Sequence, residues 1–158
     1  MTDKQHQYPV EVVWTGNHGS GTKTYQGYGR EHEIRVAGKP AIAGSSDVAF
    51  RGDGSKHTPE DMLVAALSSC HMLWYLHLAA VAGVVVTDYV DEAVGTLLEH
   101  GNDGRFTEAV LRPRVTITRQ SDPDLAKRVH DDAHHACFIA NSVNFPVRCE
   151  PRIVIESV

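Results

Sequence analysis

The stretch HTPEDMLVAALSSCHMLWYLHLAAVAG, residues 57–83, decides how the rest of the chain is read. Thr58 is a side chain that caps helices, Pro59 suits a first helical position, and Glu60 and Asp61 complement the positive end of a helix dipole. From there the pattern predicts a helix to about Ala82, with Gly83 as its stop signal. Its apolar side chains point in nearly every direction, so the helix is expected to be buried on most sides. Ser68, Ser69, His71 and His77 interrupt the apolar run from Met62 to Val86. That run therefore reads as a core helix of a soluble protein and not as a membrane span.

Working outward, Tyr8 to Trp14 and Thr22 to Val36 read as strands separated by the turn GNHGSG. Gly38 to His57 is rich in Gly, Ser and Asp and reads as a long, functional loop. On the other side of the helix, Val84 to Glu99 and Phe106 to Thr118 flank HGNDG and predict a long hairpin. A second helix is expected from Ser121-Asp122-Pro123 to about Phe138, and a last strand from Arg148 to Glu156. The order ββ-α-ββ-α-β predicts an α+β fold in a single domain spanning residues 1–158.

A chain of 158 residues buries a modest core that gains from dimerisation. Its 42% hydrophobic and 22% charged residues are those of a globular protein. A net charge of -5 leaves no basic stripe for phosphates, which argues against nucleic acid as a partner. The start, MTDKQHQYPV, has no apolar core of a secretory signal. Three cysteines without such a signal point to a reducing cytoplasm, with thiols free, reactive or metal-bound rather than in a disulfide framework.

Two of those cysteines invite chemistry. Cys70 lies mid-helix in LSSCHMLWYLHL, where the default is an inert, buried thiol; reactivity needs a cation beside it. Cys137 follows HDDAHHA and precedes the less regular FIANSV, a place that permits the small movement disulfide formation requires. Spacing alone does not pair them, because a bridge needs Cα atoms within about 7 Å.

The segment HTPEDMLVAALSSCHM resembles the Asn-Pro-Glu-x-Leu stretch and following peroxidatic cysteine of the OsmC/Ohr hydroperoxide-resistance family. Pro59, Glu60 and Cys70 match, and Thr58 replaces the asparagine. HACFIANSV resembles the segment holding that family's resolving cysteine, with Phe138 where many relatives carry proline. The resemblance covers almost the whole chain. It implies an OsmC-like fold: an antiparallel sheet with a long buried central helix and a second helix, in an intertwined homodimer.

It also implies a thiol peroxidase acting on organic, and by extension inorganic, hydroperoxides. Cys70 would be oxidised to a sulfenic acid, and Cys137 would condense with it to a disulfide. A dithiol, in this family a lipoylated protein, would reduce the product. No cofactor or metal is implied. The family activates its thiolate with an arginine held by a glutamate, which Glu60 matches by motif. Arg51, in AFRGDG, is the nearest match to the arginine, and Arg30, in YGREHEI, is the second candidate. Ten helical residues rise about 15 Å, so Glu60 and Cys70 do not touch along one continuous helix. An arginine spanning the gap, a late helix start or a second subunit would resolve this.

Other readings compete. His130, His134 and Cys137 share a helix face with ligand-like spacing, but HDDAH lacks the glutamate of a HExxH zinc site, and exposed histidines on a polar face are the favoured reading. Cys149, in VRCEP, reads as a packed or half-exposed free thiol, with resolving duty the minority role. A non-catalytic binding protein of the same fold is the remaining class. GNHGSGT lacks the Lys-Ser/Thr ending of a phosphate loop and reads as a turn.

Overall fold

The computed structural model describes residues 3–157 and divides after Met62 into two compact units. In the first unit, β1 (Glu11–Trp14), β2 (His32–Arg35) and β3 (Ile42–Gly44) form an antiparallel sheet with β2 in the middle. Val12 pairs with Ile34 and Trp14 with His32. The second strand starts ten residues later than its sequence suggests. The Gly29 amide donates to the Gly16 carbonyl at 2.8 Å, and the Trp14 indole donates to the Gly29 carbonyl at 2.8 Å. A Cβ at Gly16 would sit 2.1 Å from the Gly29 oxygen, so glycine alone permits this closure, and residues 17–28 form a loop between the two glycines. The expected loop before the helix contains β3 and a one-turn 3-10 helix, Val48–Phe50, capped by Asp47.

Helix α1 runs Pro59–Val81. Its start is a reciprocal cap: the Asp61 amide donates to Thr58 Oγ1 at 3.1 Å, and the Thr58 amide donates to Asp61 Oδ2 at 2.9 Å. Its end is equally defined. Gly83 adopts φ +77, its amide donates to the Ala80 carbonyl, and the Val84 amide donates to the Ala79 carbonyl. Those two bonds satisfy carbonyls that the helix itself leaves free.

In the second unit the long hairpin is present but split. β4 (Val86–Asp91) pairs with β7 (Pro113–Ile117), while β5 (Val94–His100) pairs with β6 (Asp103–Leu111). Residues Glu92, Ala93 and Arg112 separate the halves, so the hairpin feeds two sheets. Helix α2, Pro123–Ala136, begins at Asp122, whose side chain accepts from the amides of Asp124 and Leu125. The expected last strand is two strands. β8 (Val147–Cys149) runs parallel to β6, and β9 (Arg152–Ile155) runs parallel to β7. Pro151 interrupts the ladder between them because it has no amide proton. The parallel direction follows from the crossover through α2, which returns the chain to the same end of the sheets. The architecture is α+β, with mixed sheets where antiparallel pairing alone was expected.

The core of this unit joins Tyr75 and Ala79 of α1, Ala126, Val129 and Ala133 of α2, and Val115 and Ile117 of β7. Along α1 the fully buried residues are Leu67, His71, Tyr75 and Ala79, one stripe at four-residue spacing. Leu73 is 63% exposed and Val81 is 73% exposed. The all-round burial expected of α1 is therefore not achieved within one chain: apolar side chains occupy more faces than one packed surface covers.

Candidate functional site

Cys70 and Cys137 come together at the contact between the two helices. The Tyr75 hydroxyl donates to the Ala126 carbonyl at 3.1 Å, tying α1 to α2. Cys137 caps α2 in an extended conformation, and its amide donates to the His134 carbonyl. A 3-10 turn, Ala140–Ser142, follows, with the Asn141 amide donating to the Cys137 carbonyl. Cys70 is half-buried and Cys137 buried, and both are free thiols. Burial raises the Cys137 pKa, the Ala140 amide opposes that shift, and a hydrogen bond with the Cys70 thiol raises it further. Cys137 thus keeps its proton at neutral pH, with the Cys70 thiol near it.

Residues 70, 73, 74 and 77 fall on one face of α1 by helical spacing. Leu73, Trp74 and His77 line an open, mainly apolar cavity of about 350 Å³ together with Phe138, the residue after Cys137. Trp74 and Phe138 meet edge to face at 5.4 Å. Phe138 thus supplies an aromatic wall next to Cys137.

Glu60 lies in the first turn of α1 with Asp61, and the reciprocal cap uses Asp61. Ten residues separate Glu60 from Cys70, about 15 Å of helix rise, so α1 does not bring the two into contact. Arg30 is held inside the first unit: its guanidinium donates to the Tyr25 carbonyl at 2.8 Å and to the Tyr28 carbonyl, and lies over both rings. Arg51 adopts φ 65 as the C-cap that follows the short 3-10 turn, and its guanidinium is 6.0 Å from the Tyr25 ring centre. Both candidate arginines therefore converge on Tyr25.

A second cluster is absent from the sequence reading. His71 Nε2 and His130 Nδ1 are 3.0 Å apart, and Cys149 Sγ lies 3.5 Å from the first and 3.8 Å from the second. His71 is the residue after Cys70 and belongs to the buried stripe of α1. His130 belongs to the buried stripe of α2, with Ala126, Val129 and Ala133. Its position in the core corrects the expectation of an exposed histidine, because the apolar face of α2 runs through residue 130. Cys149 ends β8, whose alternation turns Val147 and Cys149 inward and Arg148 outward. His130 thus pairs with His71 and Cys149 instead of His134 and Cys137.

Burial lowers the pKa of His71 to about 4 and of His130 to about 3. Burial also pushes the Cys149 thiol up to about 12, helped by the carboxylates of Asp91, Asp131 and Glu150. The one sequence signal for this cluster is a histidine inside an otherwise apolar helical run.

Residues 52–152 match the sequence profile of a family described as OsmC-like protein. No curated protein matches the chain in sequence. Among solved structures, an OsmC-like protein of unknown function from Vibrio cholerae is 33% identical, with a TM-score of 0.85 over 93% of this chain and 99% of that one. An organic hydroperoxide resistance protein from Elizabethkingia anophelis is 11% identical, with a TM-score of 0.70 over 98% of this chain and 100% of that one. An organic hydroperoxide resistance protein from Legionella pneumophila is 15% identical, with a TM-score of 0.64 over 96% of this chain and 98% of that one. These last two share the fold.

Proposed function

Because this chain belongs to the OsmC-like family, we propose that it is a thiol peroxidase that reduces organic hydroperoxides through Cys70 and Cys137. The observation that carries this reading is that two free thiols from different parts of the chain, Cys70 of α1 and Cys137 at the end of α2, lie near enough for one to act on the other's pKa. The Cys70 thiolate attacks the outer peroxide oxygen. An S–O bond forms, the O–O bond breaks, and the alkoxide leaves and takes up a proton as the alcohol. The Cys137 sulfur then displaces the hydroxyl of the sulfenic acid, releasing water and leaving a disulfide. A dithiol restores both thiols by exchange.

Cys137 suits the resolving step by position: it ends α2 near Cys70 and precedes a short 3-10 turn. The apolar wall of Leu73, Trp74 and Phe138 favours a substrate with a hydrocarbon body, and lipid or aryl hydroperoxides fit that description. The names of the Elizabethkingia and Legionella proteins agree with this substrate class. The reductant we propose is a lipoylated protein, and the compartment the cytoplasm. Arg51 is proposed as the cation that keeps Cys70 ionised, with Arg30 as the alternative and Glu60 as the residue orienting the guanidinium. The exposed apolar face of α1 supports a homodimer, which would also let a second subunit complete the site.

The test is steady-state reduction of tert-butyl hydroperoxide and hydrogen peroxide with dihydrolipoamide. Wild type is expected to lose two free thiols per chain on peroxide addition, with turnover higher for the organic substrate. Cys70→Ser should abolish turnover, and Cys137→Ser should stop after one thiol. Arg51→Ala should reduce turnover by orders of magnitude; unchanged turnover in that variant transfers the role to Arg30. Unchanged thiol counts in wild type would instead favour a non-catalytic binding protein.

A further inference from the structure

We propose that His71 Nε2, His130 Nδ1 and Cys149 Sγ form a three-ligand site for zinc, with a fourth coordination position on the side of the pocket that Cys149 lines. The site is separate from the peroxidase reading and does not depend on it.

The distances carry the argument. Tetrahedral zinc, bonded at 2.0–2.1 Å to imidazole nitrogen and 2.3 Å to thiolate, sets its ligand atoms about 3.3 Å apart for two nitrogens and about 3.6 Å for nitrogen and sulfur. The three edges found are 3.0, 3.5 and 3.8 Å. Three different elements, α1, α2 and β8, supply one donor each, so the triangle is a product of the fold and not of a local motif. The two rings are 5° from parallel with centroids 5.3 Å apart, as in an N–H···N bond made edge to edge. An ion displaces that shared proton to an outer ring nitrogen and needs each ring to tilt toward the third corner.

The burial pattern is a second, independent observation. His71 is 1% exposed and His130 2% exposed. Their outer nitrogens, His71 Nδ1 and His130 Nε2, are buried without a hydrogen-bond partner. Buried polar atoms are normally satisfied, and one mutual hydrogen bond is a poor return for placing two imidazoles in a core. Zinc on the two facing nitrogens would put two bonds in place of the one that now holds the rings, while the outer nitrogens, turned away from the triangle, would become N–H donors that still lack an acceptor. Tyr75 stacks on the His130 ring at 3.9 Å and restricts its rotation.

The surroundings carry both signs: Asp91 acts on His71 and Cys149, and Asp131 and Glu150 act on Cys149, while His134 opposes at His71 and Lys127 and Arg128 line the adjoining cavity. Asp91 is itself fixed, accepting from the Ser68 hydroxyl at 2.5 Å and from the Arg112 amide at 2.6 Å. Cys149 opens onto a cavity of about 340 Å³ with Asp124, Lys127, Arg128, Asp131 and Pro151, which gives an ion a route and leaves room for water as fourth ligand. Two nitrogens and one sulfur with an open position match zinc better than calcium or magnesium, which prefer oxygen. On binding, the S–H bond of Cys149 breaks, an S–Zn bond forms, and one proton passes to solvent.

The experiment is titration of reduced, metal-free protein with Co(II), followed by Zn(II). The expected result is one Co(II) per chain, a thiolate-to-cobalt charge-transfer band, the visible bands of a four-coordinate ion, and release of one proton. One equivalent of Zn(II) should bleach the bands. Cys149→Ala and His130→Gln, shown to be folded by circular dichroism, should lose the charge-transfer band, and Cys70→Ser should retain it. A wild-type spectrum without a thiolate band overturns the site, as does a folded Cys149→Ala protein that still shows one. Because Cys70→Ser abolishes the proposed turnover but keeps cobalt, failure of either reading is visible without the other.

Discussion

His71 and His130 titrate near 4 and 3 in the folded chain because burial penalises the imidazolium, against about 6.5 when unfolded. Above pH 6.5 both states hold neutral rings, and the pair adds nothing to the pH dependence of stability. As pH falls below 6.5, the unfolded chain takes up protons that the folded chain refuses. Stability of the metal-free protein should therefore drop by about 1.4 kcal/mol per pH unit for each imidazole until the folded pKa is reached. Urea midpoints between pH 7 and 4.5 check this. A folded His130→Asn variant should show a shallower slope, and an equal slope would contradict the assignment. At this scale Cys70 and Cys137 stood out as candidates, because each sits in a recognisable local segment. The histidine cluster was not. His71 and His130 are 59 residues apart and His71 and Cys149 are 78 apart, so no window of sequence contains the triangle.

Helix boundaries depend on local chemistry, and both helices begin where their capping residues say. Thr58→Ala removes the acceptor for the Asp61 amide and should destabilise the protein by about 1 kcal/mol, while Thr58→Asn should be close to neutral. Denaturant unfolding measures both; a Thr58→Asn loss as large as that of alanine would show that the hydroxyl does more than cap. Strands were less legible because their pairing is decided elsewhere in the chain. The strand expected from Thr22 is replaced over residues 22–31 by the loop that the Gly16–Gly29 closure sets, and Pro151 divides the last strand between two sheets. The parallel direction of β8 and β9 is likewise set by the crossover and not by their own residues.

For the molecule as a whole, the exposed Leu73, Val81, Leu98 and Phe138 are the main consequence. Exposed apolar surface of this kind marks an interaction site, and the proposed homodimer is expected to be the species seen by light scattering at micromolar concentration. A monomer alone in an active preparation would refute it. The residue order by itself determined the α+β class, the two helices and their caps, and the two segments that place the chain in its family, because periodicity, capping and short motifs act over a few neighbouring residues. Only the tertiary structure decided that the two thiols lie near each other and that three sheets share the strands. It also decided that two histidines and a third cysteine meet in the core, because those outcomes depend on packing between positions that nothing local connects.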